Sequence, residues 1–230
     1  MASRFRDPRL RELTYEPSDR WVRGRSDGET VVDSHRARLV WEPGRPVPHY
    51  AFPREDVRME TLDGALTEYE DDALRDYVSV DWDAVEHWYE EEQEVFVHPA
   101  DPYSRVDLRP SSRHVRVEVD GTTVADTTRP LLLFETRLPT RYYIPREDVR
   151  EELLTPSDSH TRCPYKGTAS YYSVKLGDEL HDDVVWYYED PLREVDAIKD
   201  MLAFYNERVD IYVDGELQAR PRTQWSKAEA

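Results

Sequence analysis

Arg113-His114-Val115-Arg116-Val117-Glu118-Val119-Asp120-Gly121 reads as one half-buried strand running into a hairpin turn. Val115, Val117 and Val119 alternate with Arg116 and Glu118, a period of two. Asp-Gly suits a tight turn because glycine accepts positive φ. Thr122 to Asp126 then forms the returning strand. Leu131-Leu132-Leu133-Phe134 is apolar but too short for a helix, which suits a central strand. Pro139 breaks it, and Arg141-Tyr142-Tyr143-Ile144 reads as another strand. Pro145 opens a short helix through Asp148 to Leu154, with early acids that suit a helix N-terminus.

The same pattern occurs earlier in the chain. Arg20-Trp21-Val22-Arg23, Asp27-Gly28, Val31-Val32-Asp33, Arg36 and Leu39-Val40-Trp41-Glu42 are followed by Tyr50 and Pro53-Arg54-Glu55-Asp56-Val57-Arg58. Their counterparts are Arg113 to Arg116, Asp120-Gly121, Val124-Ala125-Asp126, Arg129, Leu132 to Glu135, Tyr142 and Pro145 to Arg150. A single one-residue gap aligns them. A match this dense is an internal duplication.

Beyond the shared helix the copies diverge. The second passes through a polar loop, Thr155 to Arg162, into Cys163-Pro164-Tyr165-Lys166-Gly167. Ala169 to Val174 and Val184 to Tyr188 read as strands. Asp190-Pro191 reads as a helix start. Leu192, Val195, Ile198, Met201, Leu202 and Tyr205 fall on one helical face. Val209 to Val213 closes as a strand with a turn at Asp214-Gly215. The first copy has an acidic stretch instead, in which His87-Trp88-Tyr89 aligns with Val185-Trp186-Tyr187. Arg105 to Leu108 aligns with Arg208 to Ile211. The predicted organisation is an N-terminal arm with one short helix (1–19), a first repeat (20–110), a complete second repeat (111–216) and a frayed tail (217–230) in which Trp225 could dock. The short linker predicts a packed pair of repeats. The fold class is mainly β with short helices.

Composition excludes several functions. The 230 residues carry 49 acidic and 31 basic side chains, a net charge of −18. That balance repels phosphate backbones and anionic membranes, so neither nucleic acid nor membrane is an expected partner. One cysteine allows no internal disulfide and no site built from two Cys-x-x-Cys pairs. The first residues lack a signal-like apolar core, and no apolar run is long enough to span a bilayer. The expected location is the cytoplasm. The seven histidines form no pair at metal-ligand spacing, so no metal and no cofactor is expected. The sequence leaves the oligomeric state open.

The run Cys163 to Tyr172, with Val124-Ala125-Asp126, Arg129, Leu133-Phe134-Glu135, Tyr142 to Val149 and Trp186-Tyr187-Tyr188, resembles the domain-of-unknown-function 427 family. The motifs stand in the family's order. The resemblance implies a β-tent fold, in which two antiparallel sheets lean together around a pocket. Other proteins of that fold tie their sheets with a four-cysteine zinc site. With one cysteine, this chain is expected to hold no structural zinc. The family also carries a nucleotidyltransferase-like label. Asp81-Trp82-Asp83 puts two acids on one strand face, as metals in that chemistry need. No glycine-serine turn precedes it, and the eight glycines form no phosphate-cradling loop.

Two sets of residues could carry function. Cys163 and Lys166 could form a nucleophile beside a cation, or a small buried hydrophobe beside an ion-paired side chain. The aromatic set is Phe134, Tyr142, Tyr143, Tyr171, Trp186 and Tyr188. It could line a pocket for a flat or cationic small molecule, with Arg129, Glu135 and Lys166 orienting it, or it could be core. Strand alternation puts Trp186 and Tyr188 on one face and Tyr187 on the other. Arg129 and Glu135 recur as Arg36 and Glu42, which reads as a structural salt bridge or as ligand contacts. The predicted function is small-molecule binding or sensing in the second repeat. No residue is assigned a catalytic role. The alternatives are a small-metabolite enzyme using Cys163 and Lys166, and an acidic protein-interaction scaffold.

Overall fold

Val115, Val117 and Val119 point inward together and are buried, whereas Arg116 and Glu118 between them are only half-buried. Alternation of this kind builds most of the protein, seen here as a computed structural model that describes residues 11–226. The helix expected in the arm falls partly on residues 1–10, outside the described residues. The chain divides into two units, Met1–Pro102 and Tyr103–Ala230.

The first unit contains β1 (Thr14–Pro17), β2 (Val22–Ser26), β3 (Glu29–Ser34), β4 (Arg38–Trp41), β5 (His49–Pro53), β6 (Leu66–Glu68), β7 (Tyr77–Val80), β8 (His87–Glu90) and β9 (Gln93–Val95). They form a five-stranded sheet, β1-β4-β5-β7-β6, and a four-stranded sheet, β3-β2-β8-β9. Val22 and Val32 from one sheet meet Leu39, Trp41, Phe52 and Val78 from the other in a shared core.

The second unit contains β10 (Val106–Pro110), β11 (Val115–Val119), β12 (Thr122–Thr127), β13 (Leu131–Glu135), β14 (Arg141–Ile144), β15 (Leu154–Cys163), β16 (Gly167–Leu176), β17 (Glu179–Tyr187), β18 (Leu202–Phe204), β19 (Asp210–Val213) and β20 (Glu216–Leu217). Its sheets run β10-β13-β14-β18-β17-β16-β15 and β12-β11-β19-β20. Among the described residues every strand pair in both units is antiparallel.

The duplication extends to backbone detail. The β2–β3 ladder shifts register between Gly24 and Arg25, and the β11–β12 ladder shifts between the equivalent Val117 and Glu118. Asp27 and Asp120 both lead their turns with positive φ, 51° and 46°. Val57 bridges Val32 as Val149 bridges Ala125. One local difference has a steric cause. Gly24 stands where the second unit has Val117, and a Cβ there would come within 3.2 Å of the Trp88 ring. Trp88 fills the space that the second unit gives to a valine and Ile211.

Several predicted elements change. Every helical segment among the described residues is a short 3₁₀ turn. The helix expected from Pro145 to Leu154 becomes two turns, Arg146–Asp148 and Glu151–Leu153, because Val149 returns to extended backbone to bridge β12. The helix expected over Leu192–Tyr205 becomes a 3₁₀ segment, Arg193–Ile198, followed by β18. Pairing with β14 and β17 overrides the helical spacing there. Thr155 to Arg162 is not a loop but most of the edge strand β15.

The partial alignments in the divergent halves are also corrected. β8 pairs with β2 as β19 pairs with β11, so Trp88 corresponds to Ile211 and not to Trp186. β10 pairs with β13 as β1 pairs with β4, so Val106–Pro110 corresponds to the arm strand Thr14–Pro17. The units therefore separate between Pro102 and Tyr103, whereas the repeat reading put the boundary at 110/111. The tail is not frayed from Leu217: β20 pairs with β19, and Arg220 meets Asp210 at 2.7 Å. No helix among the described residues is long and apolar enough to cross a membrane.

Both faces of the seven-stranded sheet are apolar. Tyr142, Ile144, Val185 and Phe204 face the four-stranded sheet in the main core. Tyr143, Trp186, Tyr171 and Tyr188 belong to a second layer with Leu133, Val195 and Ile198. The resemblance predicted rings in a pocket between sheets. Of the predicted rings only Tyr142 belongs to that core; Tyr143, Tyr171, Trp186 and Tyr188 lie on the opposite face, and Phe134 is exposed.

Candidate functional site

Period-two alternation along β14 and β17 puts Tyr143, Trp186 and Tyr188 on one sheet face. Trp186 Nε1–H donates to Tyr143 Oη at 3.1 Å, and the rings meet edge to face, 6.3 Å apart. Tyr205, which follows β18, packs on Trp186 with centroids 4.6 Å apart. Trp225 from the C-terminal segment lies 6.3 Å beyond Tyr205. Tyr171 Oη is 2.6 Å from Thr161 Oγ1 and 3.3 Å from Tyr205 Oη. Burial foremost pushes the Tyr143, Tyr188 and Tyr205 hydroxyls above the usual phenol range, so all three are neutral near pH 7.

A buried ion pair supports these rings. Arg141 opens β14, and its Nη1 and Nη2 donate to Glu207 Oε2 and Oε1 at 2.7 and 2.8 Å. The two side chains are 7% and 0% exposed. Thr223 Oγ1 donates to the same carboxylate at 2.6 Å. Burial pushes the Glu207 carboxyl up. The hydrogen bonds from Arg141 and Thr223 outweigh that and hold it below the usual range. The Arg141 guanidinium carbon lies 5.4 Å from the Trp186 and Trp225 ring centroids and 5.8 Å from that of Tyr205.

At the open end of this stack is a cleft of about 320 Å³. Tyr171, Tyr205 and Trp225 line it together with His160, Asp183 and Arg208. Arg208 donates to the backbone carbonyls of Asp182 and Asp183 at 2.8 and 3.2 Å, while its Nε is buried without a hydrogen-bond partner. The Asp183 carboxylate accepts from Ser159 Oγ at 2.7 Å. Rings, a guanidinium, a carboxylate and hydroxyls thus converge on one opening.

The other predicted residues lie apart from this opening. Cys163-Pro164-Tyr165-Lys166-Gly167 is the turn between β15 and β16. Gly167 has φ of +95°, and Lys166 O accepts from Leu192 N–H at 3.1 Å. Lys166 Nζ donates to Glu135 Oε2 at 2.5 Å, with both side chains largely buried. Cys163 is a half-buried free thiol. None of these three lines the cleft. Arg129 does not meet Glu135. It pairs with Glu147 at 2.8 Å and Asp148 at 3.1 Å on the protein surface, and Arg36 pairs likewise with Glu55 and Asp56 in the first unit. The recurring spacing was that of a repeated surface pair, with carboxylates further along the chain. Of the predicted site residues, then, Tyr171 lines the cleft, Tyr143 and Trp186 connect to its rings, and Tyr142 faces the main core.

Sequence reading missed Arg208, Asp183 and the role of Tyr205. Arg141 opens the otherwise apolar β14, and a cation there needs a carboxylate partner, a signal that leads to Glu207 and not to these three. The first unit has His49 and Ala51 at the positions of Arg141 and Tyr143, and the corresponding sheet face carries Val40, Ala51 and Leu74.

One further set of donor atoms sits elsewhere. Asp120, Glu179 and His181 place ligand atoms within 4.8 Å of one another. His181 Nε2 is 3.3 Å from Asp120 Oδ2, an ion pair joining strand β17 to the β11–β12 turn when the imidazole is protonated.

A family model described as "Domain of unknown function (DUF427)" matches residues 14–73 and 107–215. The two segments begin at equivalent positions, on β1 and β10. No curated protein matches the chain.

Proposed function

The chain belongs to the DUF427 family, a family defined by sequence and not by a reaction, and from that premise we propose that it is a small-molecule binding or sensing module with its ligand site in the second unit. The observation that carries this reading is the open cleft walled by Tyr171, Tyr205 and Trp225, with Asp183 and Arg208 beside the rings. Apolar walls with a few convergent polar groups are what small-ligand sites share. The first unit, with Ala51 where the second has Tyr143, acts as scaffold in this reading. The free thiol of Cys163 suits a reducing compartment, so we assign the protein to the cytoplasm.

Native mass spectrometry of the protein exposed to a small-molecule extract tests the reading. Wild type is expected to retain an adduct that Trp225→Ala, still folded, does not. Trp225 is the better target than Trp186, whose removal would leave a cavity behind Tyr143. An adduct that survives Trp225→Ala, or a wild type that takes up nothing, would count against the cleft.

A further inference from the structure

We infer that the cleft selects a planar, uncharged molecule over an organic cation, and that Trp225 is a specificity determinant of the site. This rests on the binding reading above and narrows it to a ligand class.

Exposed aromatic rings attract cations through the negative charge on their faces. Here that capacity is already engaged from within the protein. The Arg141 guanidinium lies within 5.4 to 5.8 Å of the Trp186, Tyr205 and Trp225 centroids. Arg208 adds a second guanidinium 5.7 Å from the Tyr205 centroid. A cationic ligand stacked on Tyr205 or Trp225 would therefore compete with guanidiniums already on those rings. Arg141 is not free to swing away, since Glu207 holds both of its terminal nitrogens. An anion is disfavoured by Asp183, which lines the opening, and by the chain's charge of −18; a cation drawn in by the same charges would find the ring faces already engaged. A neutral ring remains, its heteroatoms served by the hydroxyls of Ser159, Thr161 and Tyr171.

Trp225 reaches this site from outside the stretch that matches the family, which ends at residue 215. Thr223 ties the segment to Glu207 at 2.6 Å, and Arg220 ties it to Asp210 at 2.7 Å. The same carboxylate therefore fixes the internal cation and the segment that carries the outer ring.

Nicotinamide and 1-methylnicotinamide share one planar ring, and the second bears a fixed positive charge. Amide-methylated nicotinamide adds the same methyl without charge and controls for size. Each is titrated into the full chain while the tryptophan indole N–H resonances are followed by NMR. The Trp225 signal is the one missing from Trp225→Leu. The two neutral probes are expected to shift it with dissociation constants about two- to fivefold below that of the cation, the scale of one exposed cation–ring contact. A cation that binds as tightly as the neutral probes overturns the selectivity and leaves the binding site standing. If no probe shifts the Trp225 signal, the site and the binding reading fall together.

Discussion

Arg141 and Glu207 form a fully buried, two-pronged ion pair that connects strand β14 to the segment entering β19, with nitrogen–oxygen distances of 2.7 and 2.8 Å. Removing one partner strands the other charge in an apolar setting. Glu207→Gln should therefore destabilise the second unit by about 3–5 kcal/mol. The double variant Arg141→Met, Glu207→Met should recover much of that loss. Urea unfolding of the two single variants and the double variant measures the coupling. Additive effects would show that the pair is not a unit.

His49 makes the first unit sensitive to acid. Burial pushes its imidazole down to about 4, with Arg45 adding to the effect and Glu42 opposing it. The unfolded chain protonates this group at about 6.5. Between those values the unfolded state binds more protons, so stability falls as pH falls. The contribution is intact above pH 6.5 and gone by pH 4, and it amounts to about 3 kcal/mol. His49→Gln, which keeps a partner for Tyr69, should flatten the dependence of the unfolding midpoint over that window. An unchanged slope would place the imidazole in solvent.

The duplicated turn gives a paired test. Ser34 Oγ donates to Asp56 and Thr127 Oγ1 donates to Asp148, both at 2.7 Å. Each hydroxyl also accepts a backbone N–H, from Arg36 and Arg129 respectively. Ser34→Ala and Thr127→Val should each cost about 1–2 kcal/mol by leaving a donor and a carboxylate unmatched. Arg129→Ala should cost less, because its guanidinium is solvated. Denaturation midpoints in which Arg129→Ala is the most damaging of the three would contradict this ranking.

Gly167 closes the β15–β16 hairpin with φ of +95°, and a Cβ there would lie 3.4 Å from the Asp190 carbonyl oxygen. Gly167→Ala should destabilise by about 1–3 kcal/mol through backbone strain. Lys166→Met should act differently, leaving the turn intact and Glu135 unpaired. The melting temperature of each variant, with and without Glu135→Gln, separates the two effects: Glu135→Gln should rescue Lys166→Met and leave Gly167→Ala unrescued.

The sequence revealed most of the fold up to Val149, because the signals there are local. Val115 to Val119 alternate over a single strand, and Asp120-Gly121 fixes the turn without help from distant residues. Later elements depend on partners. β15 is an edge strand with largely polar sides, so Thr155 to Arg162 has no apolar period to read. Leu192 to Tyr205 has helical spacing only because two short elements follow one another, and pairing with β14 and β17 decides their conformation. The site was harder still. Tyr171 could be named from composition and alternation. Arg208 and Asp183 become neighbours only through the packing of β17 against the chain that leads into β19. Arg129 was given the wrong carboxylate because repeat spacing fixes which residues recur and not which of them touch.

Strand β10 belongs to the sheet of the second unit although it lies ahead of Arg113, where the repeat legible in the sequence begins. Its departure would uncover the hydrogen-bonding edge of β13 and the apolar side chains of Leu131 and Leu133 beneath it. An unpaired edge of that kind is a template for strand addition by another molecule. A fragment of the second unit cut at residue 111 should therefore self-associate. One cut at 103 carries its own edge protection and should remain monodisperse at the same concentration.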